Sequence, residues 1–428
     1  MKITKVTSLL SLTAGLVLFS ACKKDAAAPT AQVVLTPEQN KTNLQQTGLD
    51  AMKTMNDAKN LTSVDNTIHF TDLLNTANPF ESAKPSTIMP LNVLYALRNF
   101  EKTGDQELVY ASLRQAKSLE NDSTIEMGFN DLKGTYEWNA NTQKWDKTSG
   151  NDLILKFPST KNQTTNNASY VVEYTPYNGT VYNKDLIGNT PQKVVAKLTV
   201  DSKTLVQFNF DAAYNADGIP SLLEANLKVE SYNFNTKLVL TSPLVSYNYA
   251  FTHNGSNILS MGTSLTGNFT KAHLESLNEN TVSKVEDINK VATSMNAYIQ
   301  VMNVKLEGNG NVNGIVADVT AKGGSKDMSR ANQVDVLNKN LVLKAFYVST
   351  GVKIAHSEFY VDKYTNTYNT WENGQQVTKT EEKEDVNIRL VFDDASKADL
   401  ETYFGSGFDK LSNDFTQFIN DMKSRYGN

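Results

Sequence analysis

The chain has 428 residues, with 41 basic and 46 acidic side chains and a formal charge of -5 at pH 7. Such a balance argues against a nucleic-acid binder, which needs a basic face to gain from counterion release. Its one cysteine, Cys22, excludes an internal disulfide framework and any zinc or iron–sulfur centre built from several thiolates.

The first 21 residues read as a secretory signal. Met1-Lys2-Ile3-Thr4-Lys5 is basic, and residues 6–19 (VTSLLSLTAGLVLF) are mostly apolar and uncharged. That run is too short to stay in a bilayer as a helix, and small Ser20 and Ala21 follow it as a cleavage site requires. Phe19-Ser20-Ala21-Cys22 resembles the lipobox of bacterial lipoproteins, with Phe19 in the place usually held by leucine. The resemblance implies diacylglycerol on the Cys22 thiol, cleavage before Cys22, and attachment to the membrane through that lipid. Two or more acyl chains anchor stably, each buried methylene adding about 0.8 kcal/mol. Lys23-Lys24-Asp25 is similar to the start of many Bacteroidota-type envelope lipoproteins. The expected location is therefore the outer membrane, facing the periplasm or the cell surface. Loss of Lys2 and Lys5 with the signal takes the charge from -5 to -7.

Residues 22–35 are small and carry one proline, and read as a flexible tether. Residues 36–128 read as mainly helical. Thr36-Pro37-Glu38 looks like an N-cap followed by proline at the first helical position, and Leu44, Leu49, Met52 and Met55 continue at helical spacing. Further helices are expected near 66–77, 90–102 and 105–119.

From Phe129 to Asp393 period-two alternation takes over. Asn139-Ala140-Asn141-Thr142, Asp201-Ser202-Lys203-Thr204, Asp217-Gly218, Asn254-Gly255 and Asn373-Gly374 each punctuate two strand-like runs. Asn-Gly and Asp-Gly favour tight hairpins because both central residues need positive φ. The expectation is an antiparallel meander with inserted helices. One would carry Val282, Val285, Ile288, Val291 and Met295, capped by Asn280 or Thr281, and another would span Ser325–Leu337. Between them, Val304–Leu306 and Val312–Val319 are expected to form a strand pair. Residues 394–428 read as two helices packed on the body: Ser396-Lys397-Ala398-Asp399 resembles a capping box, and Phe408, Leu411, Phe415, Phe418, Ile419 and Met422 form a stripe.

Catalytic signatures are weak. Gly308-Asn309-Gly310-Asn311-Val312-Asn313-Gly314 lacks the glycine spacing of a phosphate loop and reads as a hairpin turn. Gly262-Thr263-Ser264-Leu265-Thr266-Gly267 has one residue too many for a nucleophile elbow and reads as strand. His69, His253, His273 and His356 share no metal-ligand spacing, and His253 beside its turn is expected to be exposed. No cofactor is called for. Candidate ligand contacts are Trp138, Trp145 and Trp371, as aromatic platforms, and His356 with Glu358, two apart on one strand face. Trp138 and Trp145 also fit simple cross-strand packing. Glu381-Glu382-Lys383-Glu384-Asp385 reads as solvated charge at a hairpin or strand edge, and Asp394 or Ser396 as a helix cap.

The fold expected is α+β: a large twisted antiparallel meander with helices packed on one face, a helical N-terminal segment and C-terminal helices. A curved sheet with helices in its concavity resembles the half-barrel lipid-carrier lipoproteins of bacterial envelopes. The function expected is non-enzymatic binding of a ligand or an envelope partner by a lipid-anchored protein. The alternatives are a hydrolase acting on glycans or peptides, and a surface adhesin or structural subunit.

Overall fold

The computed structural model describes residues 35–57, 61–80, 84–85, 88, 90–98, 129–179, 191–270, 272–273, 289–325, 328–372 and 375–399. Cys22, the expected helix at 105–119 and the C-terminal stripe from Phe408 to Met422 lie outside these residues.

One sheet of sixteen strands organises the described chain. Its strands are β1 (Gly134–Asn139), β2 (Lys144–Thr148), β3 (Leu153–Phe157), β4 (Ala168–Pro176), β5 (Pro191–Val200), β6 (Lys203–Tyr214), β7 (Pro220–Val229) and β8 (Tyr232–Leu240). The second half comprises β9 (Leu244–His253), β10 (Ser256–Gly267), β11 (Ala292–Val301), β12 (Val304–Asn311), β13 (Leu341–Tyr347), β14 (Lys353–Glu372), β15 (Gln375–Phe392) and β16 (Lys397–Asp399). From β3 to β16 each strand pairs antiparallel with its sequence neighbour.

The turns explain this order. Asp201 and Ser202 both have positive φ (48° and 68°), as do Asn254 and Gly255 (49° and 78°). Two-residue turns of this kind match the twist of the flanking strands and leave no slack for another pairing. Met302 and Glu230 take the same conformation at β11–β12 and β7–β8, without the Asn-Gly signature. Asn373-Gly374, between β14 and β15, lies outside the described residues.

One pairing breaks the antiparallel rule. β1 pairs antiparallel with β2 and parallel with β3, with Gly134 opposite Leu153. The chain leaving β2 crosses the end of β1, so that a β-carbon built on Gly150 would lie 3.5 Å from the Gly134 Cα. Gly134 has φ +140°, and a β-carbon there would meet the Thr148 carbonyl at 2.9 Å. Glycine is required at that crossing.

Burial alternates along β3 to β7, and the register places Tyr136, Leu155, Tyr170, Leu198, Val206 and Val229 in one buried row. Three helices pack locally in separate clusters along the sheet: α1 (Pro37–Asp57), α2 (Thr62–Thr76) and α5 (Val312–Ala321). Thr36 and Gln39 bond reciprocally at the start of α1, as a capping box does. α1 lies on the second half of the sheet, where Tyr232 donates to the Thr54 carbonyl and Tyr347 donates to Asn40 Oδ1. α2 buries Phe70, Leu73 and Leu74 in the core of the first half. α5 packs Val312 and Val316 against Leu265, Met295 and Ala297. Two shorter helices, α3 (Leu91–Arg98) and α4 (Phe129–Leu132), add Leu91, Val93, Leu94 and Leu132 to the first core. No described helix is long and apolar enough to cross a membrane.

This overturns the expected fold class. The body is one large mixed sheet in which strand predominates, not an α+β layer pair with helices packed on one face. α6 (Arg330–Asn340) shows the difference: Asn338 accepts from Phe359 N–H and donates to Phe359 C=O at 2.8 and 2.9 Å, so this helix seals the edge of β14. Val312–Val319 is helix, not strand, because Asn311 caps it by accepting from the Gly314 N–H. Met295 belongs to β11, not to a helix, and Val291 lies just before that strand. Lys397–Asp399 is strand and pairs with Val391–Arg389 where a helix start was expected. Asp394 accepts from the N–H and hydroxyl of Ser396, shaping the turn into β16.

Candidate functional site

A cleft of about 700 Å³ opens where α2, the β1–β2 hairpin and the loop after β3 meet. Its size is that of a small-molecule site. α2 presents His69, Asp72, Leu73, Asn75 and Thr76. The hairpin contributes Trp138, Ala140 and Gln143, and the loop contributes Pro158 and residues 161–164.

The sequence builds these walls for local reasons. Phe70 and Leu74 point α2 into the core, so Asp72, Asn75 and Thr76 face the rim. Asn139 shapes the hairpin turn by accepting from the N–H groups of Asn141 and Thr142. The loop is tied from three directions. Asn66 of α2 donates to the Ser159 carbonyl, Asn167 accepts from the Ser159 N–H, and Asn166 donates to the Trp138 carbonyl. The cleft is therefore held open by hydrogen bonds between its walls.

Two amides, one on α2 and one on the loop, are fixed through their oxygens. Tyr95 donates to Asn75 Oδ1 at 2.8 Å, and Ser159 donates to Gln163 Oε1 at 2.9 Å. Their NH₂ groups remain as donors. His69 is 9% exposed, and neither ring nitrogen makes a well-formed hydrogen bond. Burial lowers its pKa below 6.5; Asp72 opposes this, Lys161 adds to it, and the nearby Pro158 carbonyl opposes it. At neutral pH the imidazole is uncharged.

Of the candidate contacts, the structure brings Trp138 and Trp145 together and separates the others from them. Trp138 lies directly opposite Trp145 in the β1–β2 register, with ring centroids 5.3 Å apart at 71°. The pair is cross-strand packing, and Trp145 also meets Phe70 edge-on at 6.4 Å. Trp138 lines the cleft; Trp145 supports it from behind. Trp371 pairs with Gln376 near the far end of the β14–β15 ribbon.

His356 and Glu358 lie on β14, towards the other end of the strand order from β1. Glu358 Oε2 takes hydrogen bonds from Lys397 Nζ and Arg389 Nε, both at 2.7 Å. Those bonds, Lys397 first, hold its carboxyl below the ordinary pKa. Glu358 is thus committed to an ion-pair network, and His356 Nδ1 is buried without a partner. Asp393, at the start of the turn into β16, pairs with Lys353.

The remaining motifs resolve simply. Gly262–Gly267 is strand in β10. Gly308–Asn311 is strand in β12 and runs straight into α5, where a turn was expected. At the helix start Gly314 is enclosed by side chains: a β-carbon there would collide with Asn340 Oδ1 and the Asn311 amide. His253, expected exposed, is half-buried, its ring stacked 4.3 Å from Tyr232. Among the described residues no three His, Cys, Asp or Glu side chains form a metal-sized group.

Asn75, Asp72, Lys161 and Gln163 gave no signal in the sequence. They are single polar residues on two elements, α2 and the loop after β3, brought together only by folding. No family model matches the chain, and neither a curated protein nor a solved structure is found similar to it.

Proposed function

We propose that the chain is an envelope lipoprotein, anchored to the outer membrane through acylated Cys22, whose folded body binds a small ligand in the α2–hairpin cleft. The cleft carries this reading: a preformed concavity of about 700 Å³ with anchored polar groups converging on an apolar wall. Binding is favoured over hydrolysis because Asp72 is the one carboxylate among the described lining residues, whereas glycoside hydrolysis ordinarily needs a pair.

Two experiments test it. Cells expressing the wild type should incorporate radioactive palmitate into the protein, and Cys22→Ser should abolish both label and membrane retention; persistence of both refutes the anchor. A soluble form starting at Lys23, screened against a small-molecule library by saturation-transfer NMR, should give hits that Trp138→Ala weakens. Hits untouched by that change refute the cleft.

One observation favours a second reading, that of a partner-binding subunit. β14 pairs with β13 only from Lys353 to His356, and β15 pairs with β16 only from Arg389 to Val391. Between these limits the two strands form a ribbon paired only to each other, with Tyr364 and Tyr368 each 41% exposed. Deletion of residues 364–383 should then release an envelope partner while leaving ligand hits intact.

A further inference from the structure

We infer that the cleft takes a neutral saccharide, an inference that rests on reading the cleft as the binding site. The chemistry of the lining selects this class. The apolar wall is small: Leu73, Trp138, Ala140 and Pro158 among thirteen lining residues. An acyl chain would leave the polar remainder desolvated without partners, at a cost per group that its own burial does not recover. A sugar has the opposite make-up, with one apolar ring face and hydroxyls around its rim, each of which both donates and accepts.

The donors stand ready for those hydroxyls. Asn75 Nδ2 and Gln163 Nε2 belong to two of the cleft's walls, and each amide is oriented by a protein hydroxyl on its oxygen. That orientation removes rotamer entropy before the ligand arrives. Lys161 adds a cationic donor and Asp72 an anionic acceptor in the same lining. The pair leaves the cleft without net charge, since His69 is neutral, which suits an uncharged ligand better than a carboxylate or phosphate. Trp138, 8% exposed, reaches the lining beside Leu73 and Pro158, a small apolar strip for one ring face of a sugar to rest on.

The test uses the soluble body from Lys23 onward and a panel of glucose, galactose, mannose, N-acetylglucosamine and their disaccharides, read by isothermal titration and tryptophan emission. At least one sugar should bind and change the emission. Asn75→Ala and Gln163→Ala should each weaken it about tenfold, which corresponds to about 1.4 kcal/mol. Ser159→Ala keeps the Gln163 donor but frees its amide, and should weaken binding less than Gln163→Ala while leaving the thermal midpoint within a few degrees. Binding of charged or aromatic fragments in the cleft with no sugar bound would overturn the saccharide inference and leave the cleft reading standing. Sugar binding indifferent to Asn75→Ala and Gln163→Ala would overturn the inference. Failure of every fragment and every sugar to contact Trp138 would overturn both.

Discussion

Phe70 ties the stability of the first core to the geometry of the cleft, and its truncation should damage both. The side chain is 0% exposed. Its ring stacks on Phe157 at 4.1 Å and 8°, lies 5.6 Å from Tyr170, and meets Trp145 edge-on. A buried Phe→Ala change costs about 3–5 kcal/mol through lost transfer energy and the cavity left behind. The stacked pair adds roughly 0.5–1.5 kcal/mol. Because three aromatic partners on three strands cannot all collapse into the space, Phe70→Ala should lose about 4–5 kcal/mol. Phe70→Leu keeps most of the volume and should lose about 1.5 kcal/mol. The assay is urea unfolding of the soluble body, followed by tryptophan emission, since Trp138 and Trp145 report on this core. Val342→Ala, at a site 46% exposed, serves as the control and should stay within about 0.5 kcal/mol. A loss below 1.5 kcal/mol for Phe70→Ala, or equal losses for Ala and Leu, would refute the packing argument.

His69 should make stability depend on pH. Its folded pKa lies below the unfolded value of 6.5, so the unfolded chain takes up a proton that the folded one refuses. Stability is complete above pH 6.5 and falls as pH drops towards the folded pKa; His69→Leu should flatten that fall, and parallel curves for the two proteins from pH 8 to 5 would contradict it. Asn338→Ala removes both hydrogen bonds to the Phe359 backbone and should speed amide exchange at Phe359 while costing about 1–2 kcal/mol. Gly314→Ala would gain about 1 kcal/mol from helix propensity alone. The new β-carbon runs into Asn340, which is 8% exposed and donates to Asp318 and to the Val336 carbonyl, so it cannot swing away. Net destabilisation is the expected outcome, and a raised melting temperature would refute it.

Local signals in the sequence determined much of the strand order. Where two residues at positive φ join period-two runs, as at Asp201-Ser202 and Asn254-Gly255, the next strand has only one place to go, and the meander is legible without a structure. The start of α1 was equally legible, because the Thr36–Gln39 capping bonds span one turn. Signals failed where two periods compete. Val312, Val316 and Val319 are β-formers by composition, yet the cap at Asn311 and the core beneath make them one face of a helix. The parallel entry of β3 beside β1, the edge seal by Asn338 and the strand at Lys397–Asp399 depend on contacts between distant segments, which leave no trace in spacing. The same holds for the cleft. Trp138 stood out as an aromatic, but Asn75 and Gln163 acquire meaning only when Tyr95 and Ser159 orient them across a gap between a helix and a loop. The proposed attachment at Cys22 is read from consecutive residues; the proposed binding cleft exists only once folding has brought its walls together.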